Sequence, residues 1–365
     1  MTVSKNTFWC VLSSLLVLAS LQGAGRAQEK YWDAAIESGE NALNQRRYAE
    51  AEEKFITALK MAERFGEQDP RLGVTLNDMA TLYYLQGKYD QAELTFKHCL
   101  TLREKVEGPD SPDLAITLRN FSELYKAQRK YDLAKAPLER ALKIDERSLG
   151  RDDLVVSRDL KNLSYLYRAQ GNLPESARLL ERAIAIEEKT WGPDSPDLYP
   201  DLNNLASAYN FQKKYAQAEP VLARAVSIFE KAKGPDSLYV AEAVQHLAVV
   251  YALEGKNAQA EPLFKRVVAI EEKALGPENP ELVVDLNNLA TVYSSLGKYA
   301  ESAKVLERAL RIAQKARGPD ALEVAKQLRK YSEVLRKVGR EAEAQKLETQ
   351  ADAIQTKAGQ PAKPK

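Results

Sequence analysis

Cysteine is nearly absent from this 365-residue chain. Cys10 and Cys99 are the only two, and they form no Cys-x-x-Cys pair, which excludes a disulfide-stapled fold and a thiolate metal cluster. Histidine is as scarce. His98 and His246 stand far apart, and the chain contains no His-Glu-x-x-His, no Gly-x-Ser-x-Gly and no P-loop, so the common signatures of metal, nucleophilic and nucleotide chemistry are all missing. Neither sign of charge dominates: 53 Lys and Arg face 52 Asp and Glu. That balance gives no bulk attraction to nucleic acid or to an anionic membrane, and no basic patch is interleaved with exposed aromatics as a nucleic-acid surface would be. The longest apolar run, Phe8 to Leu21, falls short of the roughly 20 residues that cross a bilayer. A non-enzymatic protein without cofactor or metal is expected.

What the chain does have is period. Gly66, Gly108, Gly150, Gly192, Gly234, Gly276 and Gly318 recur every 42 residues. The segment from Gly192 to Lys233 shows what one period encodes. Gly192 suits a helix end, Ser195 is a good N-cap, and Pro196 fits a first helical position, where the missing N–H costs nothing. Leu198, Leu202, Leu205, Ala206 and Tyr209 then fall on one stripe of a 3.6-residue helix. After a polar turn at Lys213 and Lys214, Tyr215, Ala218, Leu222, Ala225 and Phe229 make a second stripe. Each period is an amphipathic two-helix hairpin. Such a hairpin cannot bury both stripes alone, so neighbours must stack, and an all-α solenoid of about eight hairpins is expected.

The motifs carry a resemblance. Leu286, Asn287, Asn288, Leu289 and Ala290 in a first helix, the turn Gly297, Lys298 and Tyr299, and the helix end Glu271, Glu272, Lys273, Ala274, Leu275, Gly276 and Pro277 together resemble the long tetratricopeptide repeat of the kinesin light chain type. The resemblance implies a right-handed superhelix whose concave groove binds peptides, with the matching asparagines facing that groove. It also suggests a bacterial, exported member. A heptad coiled coil like that of motor light chains is missing, which argues against motor cargo transport.

In chain order, residues 1–27 read as a cleavable secretory signal, with Lys5 before the apolar run and small residues before Ala27. Cys10 sits in that segment without a lipoprotein-like context. The solenoid is expected over 28–356, with hairpins near 31–65, 70–107, 112–149, 153–191, 196–233, 238–275, 280–317 and 321–356. Residues 357–365, holding three lysines and two prolines, read as a disordered tail. The first hairpin is one residue short between Leu59 and Gly66, and Trp32 is placed to plug its open end. Cys99 occupies a small-residue column with Ala141, Ala183, Ala225 and Ala309 and reads as a buried, inert thiol. After Gly150, Arg151, Asp152 and Asp153 replace the Pro-Asp-Ser-Pro signal, and one of the two aspartates is expected to cap the helix. Pro137, Pro220 and Pro262 lie just past the first turn of second helices, a tolerable position.

The candidate site is a column. Asp78, Asn120, Asn162, Asn204, His246, Asn288 and Lys330 share one phase of successive first helices, off the apolar stripe. An amide that donates and accepts can pair with the backbone of an extended peptide whatever its side chains; bonding between repeats is the alternative use of the same residues. Arg119, Lys126, Arg158, Lys161 and Arg168 cluster at or beside this phase in two adjacent first helices, a basic pocket that favours acidic peptides or a free carboxylate. The column Arg140, Arg182, Arg224, Arg266 and Arg308, with His98 in its phase, is expected to make ion pairs between repeats. The acidic pairs Glu187, Glu188 and Glu271, Glu272 read as solvated. The function expected is an exported, periplasmic or secreted scaffold that holds an extended, preferentially acidic peptide. The alternative is a bridging or self-associating envelope scaffold that works through its edges and convex face.

Overall fold

A computed structural model describes residues 27–359, and within them every regular element is helical. The signal expected at 1–27, with Cys10, lies outside the described residues save for its last position, as does the tail from residue 360. The chain divides into two compact units, one ending at Gln170 and the other beginning at Gly171.

The first unit holds α1 (27–44), α2 (Tyr48–Phe65), α3 (Pro70–Leu85), α4 (Tyr89–Val106), α5 (Pro112–Ala127), α6 (Tyr131–Ser148) and α7 (Leu154–Ala169). The second holds α8 (Leu173–Trp191), α9 (Tyr199–Phe211), α10 (Tyr215–Lys233), α11 (Leu238–Leu253), α12 (Asn257–Leu275), α13 (Leu282–Ser295), α14 (Tyr299–Arg317), α15 (Leu322–Lys337) and α16 (Glu341–Gly359). Consecutive helices pack within each unit, as in α5 with α6 and α11 with α12. The stripes read from the 42-residue period form the core: Leu198, Leu202, Leu205, Ala206 and Tyr209 are buried together with Ala218, Leu222, Ala225 and Phe229.

The punctuation works as its chemistry requires. Gly192 ends α8 with φ at 86° and ψ at 156°, a combination open essentially to glycine. Ser111 and Asp153 accept the backbone N–H groups of Asp113 and Val155, capping α5 and α7. Two first helices begin differently from expectation. Pro196–Leu198 forms a 3₁₀ turn before α9, because Pro200 has no N–H with which to bond the Pro196 carbonyl in α fashion, and Tyr199 bonds it instead. Pro280 likewise precedes α13, in a turn where Val283 bonds back to it.

At the N-terminal end, α1 begins before Tyr31. Trp32 is buried and donates through Nε1 to Thr75 Oγ1 of α3 at 3.0 Å, so it packs between the first hairpin and the second rather than over the open end, where it was expected, or as an exposed aromatic anchor. Cys99 is fully buried, with Sγ bonded to the Gly73 carbonyl at 3.1 Å. Burial raises its pKa, which suppresses the reactive thiolate. At the other end α16 runs on to Gly359, past the helix end read from sequence. Ala344, Ala351 and Ile354 supply its thin buried stripe. Among the described residues no helix is long and apolar enough to cross a membrane.

Candidate functional site

First helices present the same off-stripe face in each unit. On α5 it carries Ile116, Asn120 and Glu123; on α7, Arg158, Asn162 and Tyr165; on α9, Pro200 and Asn204; on α13, Val284 and Asn288. Ile116, Tyr165 and Val284 are large apolar or aromatic side chains left exposed on it.

The polar column is not uniform. Asn120 donates to Asn77 Oδ1 at 3.1 Å, bonding one repeat to the previous one. The His246 ring nitrogen Nδ1 lies 3.3 Å from the Tyr199 hydroxyl, and burial lowers the histidine pKa. Asn288 is hydrogen-bonded to Asp285, one turn earlier on α13. Asp78 is largely buried, and burial, reinforced by Glu40 on α1, raises its pKa to about 7. Asn162, Asn204 and Lys330 are the members without a side-chain partner among the described residues, and Asn204 and Lys330 are exposed. Bonding between repeats thus accounts for part of the column, and two asparagines remain available.

The basic cluster divides too. Arg119 does not face a ligand. Its side chain is 13% exposed and its guanidinium pairs with Asp145 of α6 and, at 3.5 Å, with Asp159 of α7, both carboxylates being essentially inaccessible. Two buried carboxylates so close cannot both shed protons easily, and desolvation raises the Asp159 pKa against the pull of Arg119. Arg119 was expected in a solvent-facing pocket; it is the cation of an internal seam. Arg158 is exposed, Lys161 half-buried, and Lys126 and Arg168 half-buried beside an aromatic ring. That ring is Tyr165. The Lys126 ammonium lies 5.4 Å from its centroid and the Arg168 guanidinium 5.7 Å, with Tyr131 edge-on at 6.3 Å. Glu123 pairs with Lys126 at 2.5 Å and leaves it partly exposed. A cation pair bracketing an exposed tyrosine can meet a carboxylate and stack against a planar group together. Sequence reasoning found the cations and missed the tyrosine, since Tyr165 takes a phase filled elsewhere by Glu123, Ser207 and Thr291.

The second unit has its own seam. Gln245 Nε2 donates to Asp285 Oδ1 at 2.6 Å, and Glu271 of α12 bonds the same carboxyl group. Burial and the neighbouring Asp285 charge raise the Glu271 pKa, and burial raises that of Asp285 as well, so the pair gives up its first proton less readily than two solvated carboxyl groups would. Glu187 is also buried. The expectation that these acidic pairs are solvated holds for Glu188 and Glu272, which meet Arg224 and Arg308 near the surface, and fails for Glu187 and Glu271. The period puts each inner member where one repeat packs on the next. Among the described residues no three His, Cys, Asp or Glu side chains converge as a metal site requires.

The sequence profile described as "Tetratricopeptide repeat" matches residues 33–105, 95–147, 201–273, 240–314 and 282–357, and a second profile of the same description matches 160–197. No curated protein matches the chain. Among solved structures, the nearly identical TPR-like repeats of a kinesin light chain-like protein of Podosopora anserina superpose with a TM-score of 0.52 at 26% identity, over 57% of this chain and 99% of that one. BtubC (BKLC) from P. vanneervenii superposes with a TM-score of 0.53 at 19% identity, over 65% of this chain and 94% of its own. A tetratricopeptide repeat protein from Parabacteroides merdae gives 0.47 at 14% identity, over 83% of this chain and 99% of that one.

Proposed function

Since the chain belongs to the tetratricopeptide repeat family, with repeats of the kinesin light chain type and the protein-interaction role general to such repeats, we propose that it is a non-enzymatic scaffold holding an extended acidic peptide on its first-helix face. The observation that carries this reading is the bracketed tyrosine of the first unit: Lys126 and Arg168 flank the exposed Tyr165 ring. Asn162 and the exposed Arg158 lie one turn and two turns away on the same face of α7. Cations fix carboxylates, the ring covers a flat or apolar side chain, and an unpaired amide reads the peptide backbone. Asn204 offers the same amide function in the second unit.

A fluorescent decapeptide of alternating Glu and Ala, against its Lys counterpart, tests the charge preference by anisotropy. The acidic peptide binds more tightly, and Lys126→Glu with Arg168→Glu weakens it by about tenfold or more while the melting temperature holds. Equal affinity for both peptides, or indifference to the double substitution, overturns the reading. The segment Met1 to Ala27 further supports action outside the cytoplasm. A reporter fusion to residues 1–27 that stays in the cytoplasm would overturn that part alone.

A further inference from the structure

The arginine column in second helices is a repeated clamp. Arg140, Arg224 and Arg308 each pair through Nη1 with a glutamate of the preceding second helix, Glu104, Glu188 and Glu272, and bond through Nη2 to the carbonyl of Pro109, Pro193 and Pro277. Arg266 uses Nη2 for both, meeting Glu230 at 2.6 Å and the Pro235 carbonyl at 3.0 Å. Four interfaces within the two units therefore carry one geometry, in which a guanidinium lies between neighbouring second helices against a carboxylate and a helix-end carbonyl.

The first interface keeps the acceptors and lacks the arginine. His98 stands in the clamp's phase on α4. Counted from the helix start at Tyr48, Glu63 on α2 takes the place that Glu104 holds on α4, and counted from Gly66, Glu67 takes the place of Pro109. Here a cavity of about 690 Å³ opens, lined by Glu63, Glu67, His98, Thr101 and Lys105 over a floor of Leu59, Leu72, Leu76 and Leu102; Lys105 lies at this cavity but forms no ion pair with Glu63. No cation pairs with Glu63 among the described residues, whereas each corresponding glutamate named above is paired. The last interface also lacks the arginine, Gln350 standing in its phase, but there the carboxylate is gone as well, since Gln314 replaces the glutamate.

We propose that the cavity between α2 and α4 receives an arginine side chain from a partner polypeptide. The chain itself supplies the template, because its own arginines occupy the same acceptors at four other interfaces. A planar guanidinium meets the Glu63 carboxylate and the Glu67 carbonyl, and the leucine floor takes an apolar residue flanking the arginine. This site lies against second helices and selects positive charge, so it is independent of the first-helix face and of its acidic ligand.

The test is a titration of the isotope-labelled protein with the peptide acetyl-Leu-Arg-Leu-amide, followed on backbone amide resonances of α2 and α4. Saturable shifts are expected there, with affinity at least about tenfold weaker for the citrulline analogue, which keeps the shape and loses the charge. Glu63→Gln weakens the arginine peptide to the same degree. His98→Arg fills the site from within, abolishing the shifts while raising the melting temperature by about 2 °C. Absence of saturable shifts on these helices, equal binding of the citrulline peptide, or full binding by Glu63→Gln overturns the proposal.

Discussion

Arg119 on α5 holds Asp145 on α6 in an ion pair almost closed to solvent, and the same guanidinium reaches Asp159 on α7. A pair taken out of water gains little over an apolar contact, but removing one partner strands a buried charge. Arg119→Ala should therefore destabilise the protein by about 3 kcal/mol, measured by urea unfolding. Its affinity for the acidic peptide should stay unchanged as long as the protein is folded. Lost peptide binding in folded protein would return Arg119 to the binding face.

Arg308 offers the contrast. Its pair with Glu272 is partly exposed, so Arg308→Ala should cost only about 1 kcal/mol, most of it through the bond to the Pro277 carbonyl. A loss as large as that of Arg119→Ala would mean that the clamps, and not the seams, hold successive repeats together.

Stability should also fall as pH rises through neutrality. Glu271, half-buried beside Asp285, has its pKa raised, and Asp78 is raised to about 7. A carboxyl group whose folded pKa exceeds its unfolded value binds more protons folded than unfolded. Its contribution is complete below the unfolded value and is lost as pH climbs through the folded one. Between pH 5 and pH 8 the native melting temperature should drop more steeply than that of Glu271→Gln, and at pH 8 the variant should melt about 3 °C higher. Parallel pH profiles would show that Glu271 gives up its proton as freely folded as unfolded.

The free amides separate ligand binding from repeat bonding. Asn162→Ala with Asn204→Ala should weaken an acidic peptide without moving the melting temperature, because neither amide bonds another described residue. Asn120→Ala should lower stability by about 1 kcal/mol through the lost bond to Asn77. The reverse pattern in anisotropy and calorimetry would exchange the two roles.

Gly39 is required by space. A Cβ there would stand 2.4 Å from the Phe55 ring, itself fully buried. Gly39→Ala should cost about 1–3 kcal/mol, and limited proteolysis should detect it as a loosened α1. Unaltered resistance would mean that Phe55 can yield.

The regularity of the chain made most of the fold legible. Apolar stripes at 3.6-residue spacing, a glycine every 42 residues and caps such as Asp153 each depend on local chemistry, which a sequence displays directly. The clamp column was legible for the same reason, since recurrence at a fixed phase implies a recurrent partner. The helix beginning at Pro196 was less so, because the missing N–H of Pro200, four residues on, changes which residue bonds the Pro196 carbonyl; for the turn at Pro280, where Val284 keeps its N–H, the sequence offers no such cause.

By itself the sequence determined an all-α array of hairpins, the residues of its core and the phase of its polar column. Only the tertiary structure decided which polar residues face water. Arg119 and Glu271 occupy phases that look solvated on a single helix, and they become interior when the next repeat covers them. Tyr165 acquires a cation beside its ring because Lys126, 39 positions earlier, is brought against it. Burial at a seam is a property of two packed repeats, and one helical wheel carries no record of its neighbour.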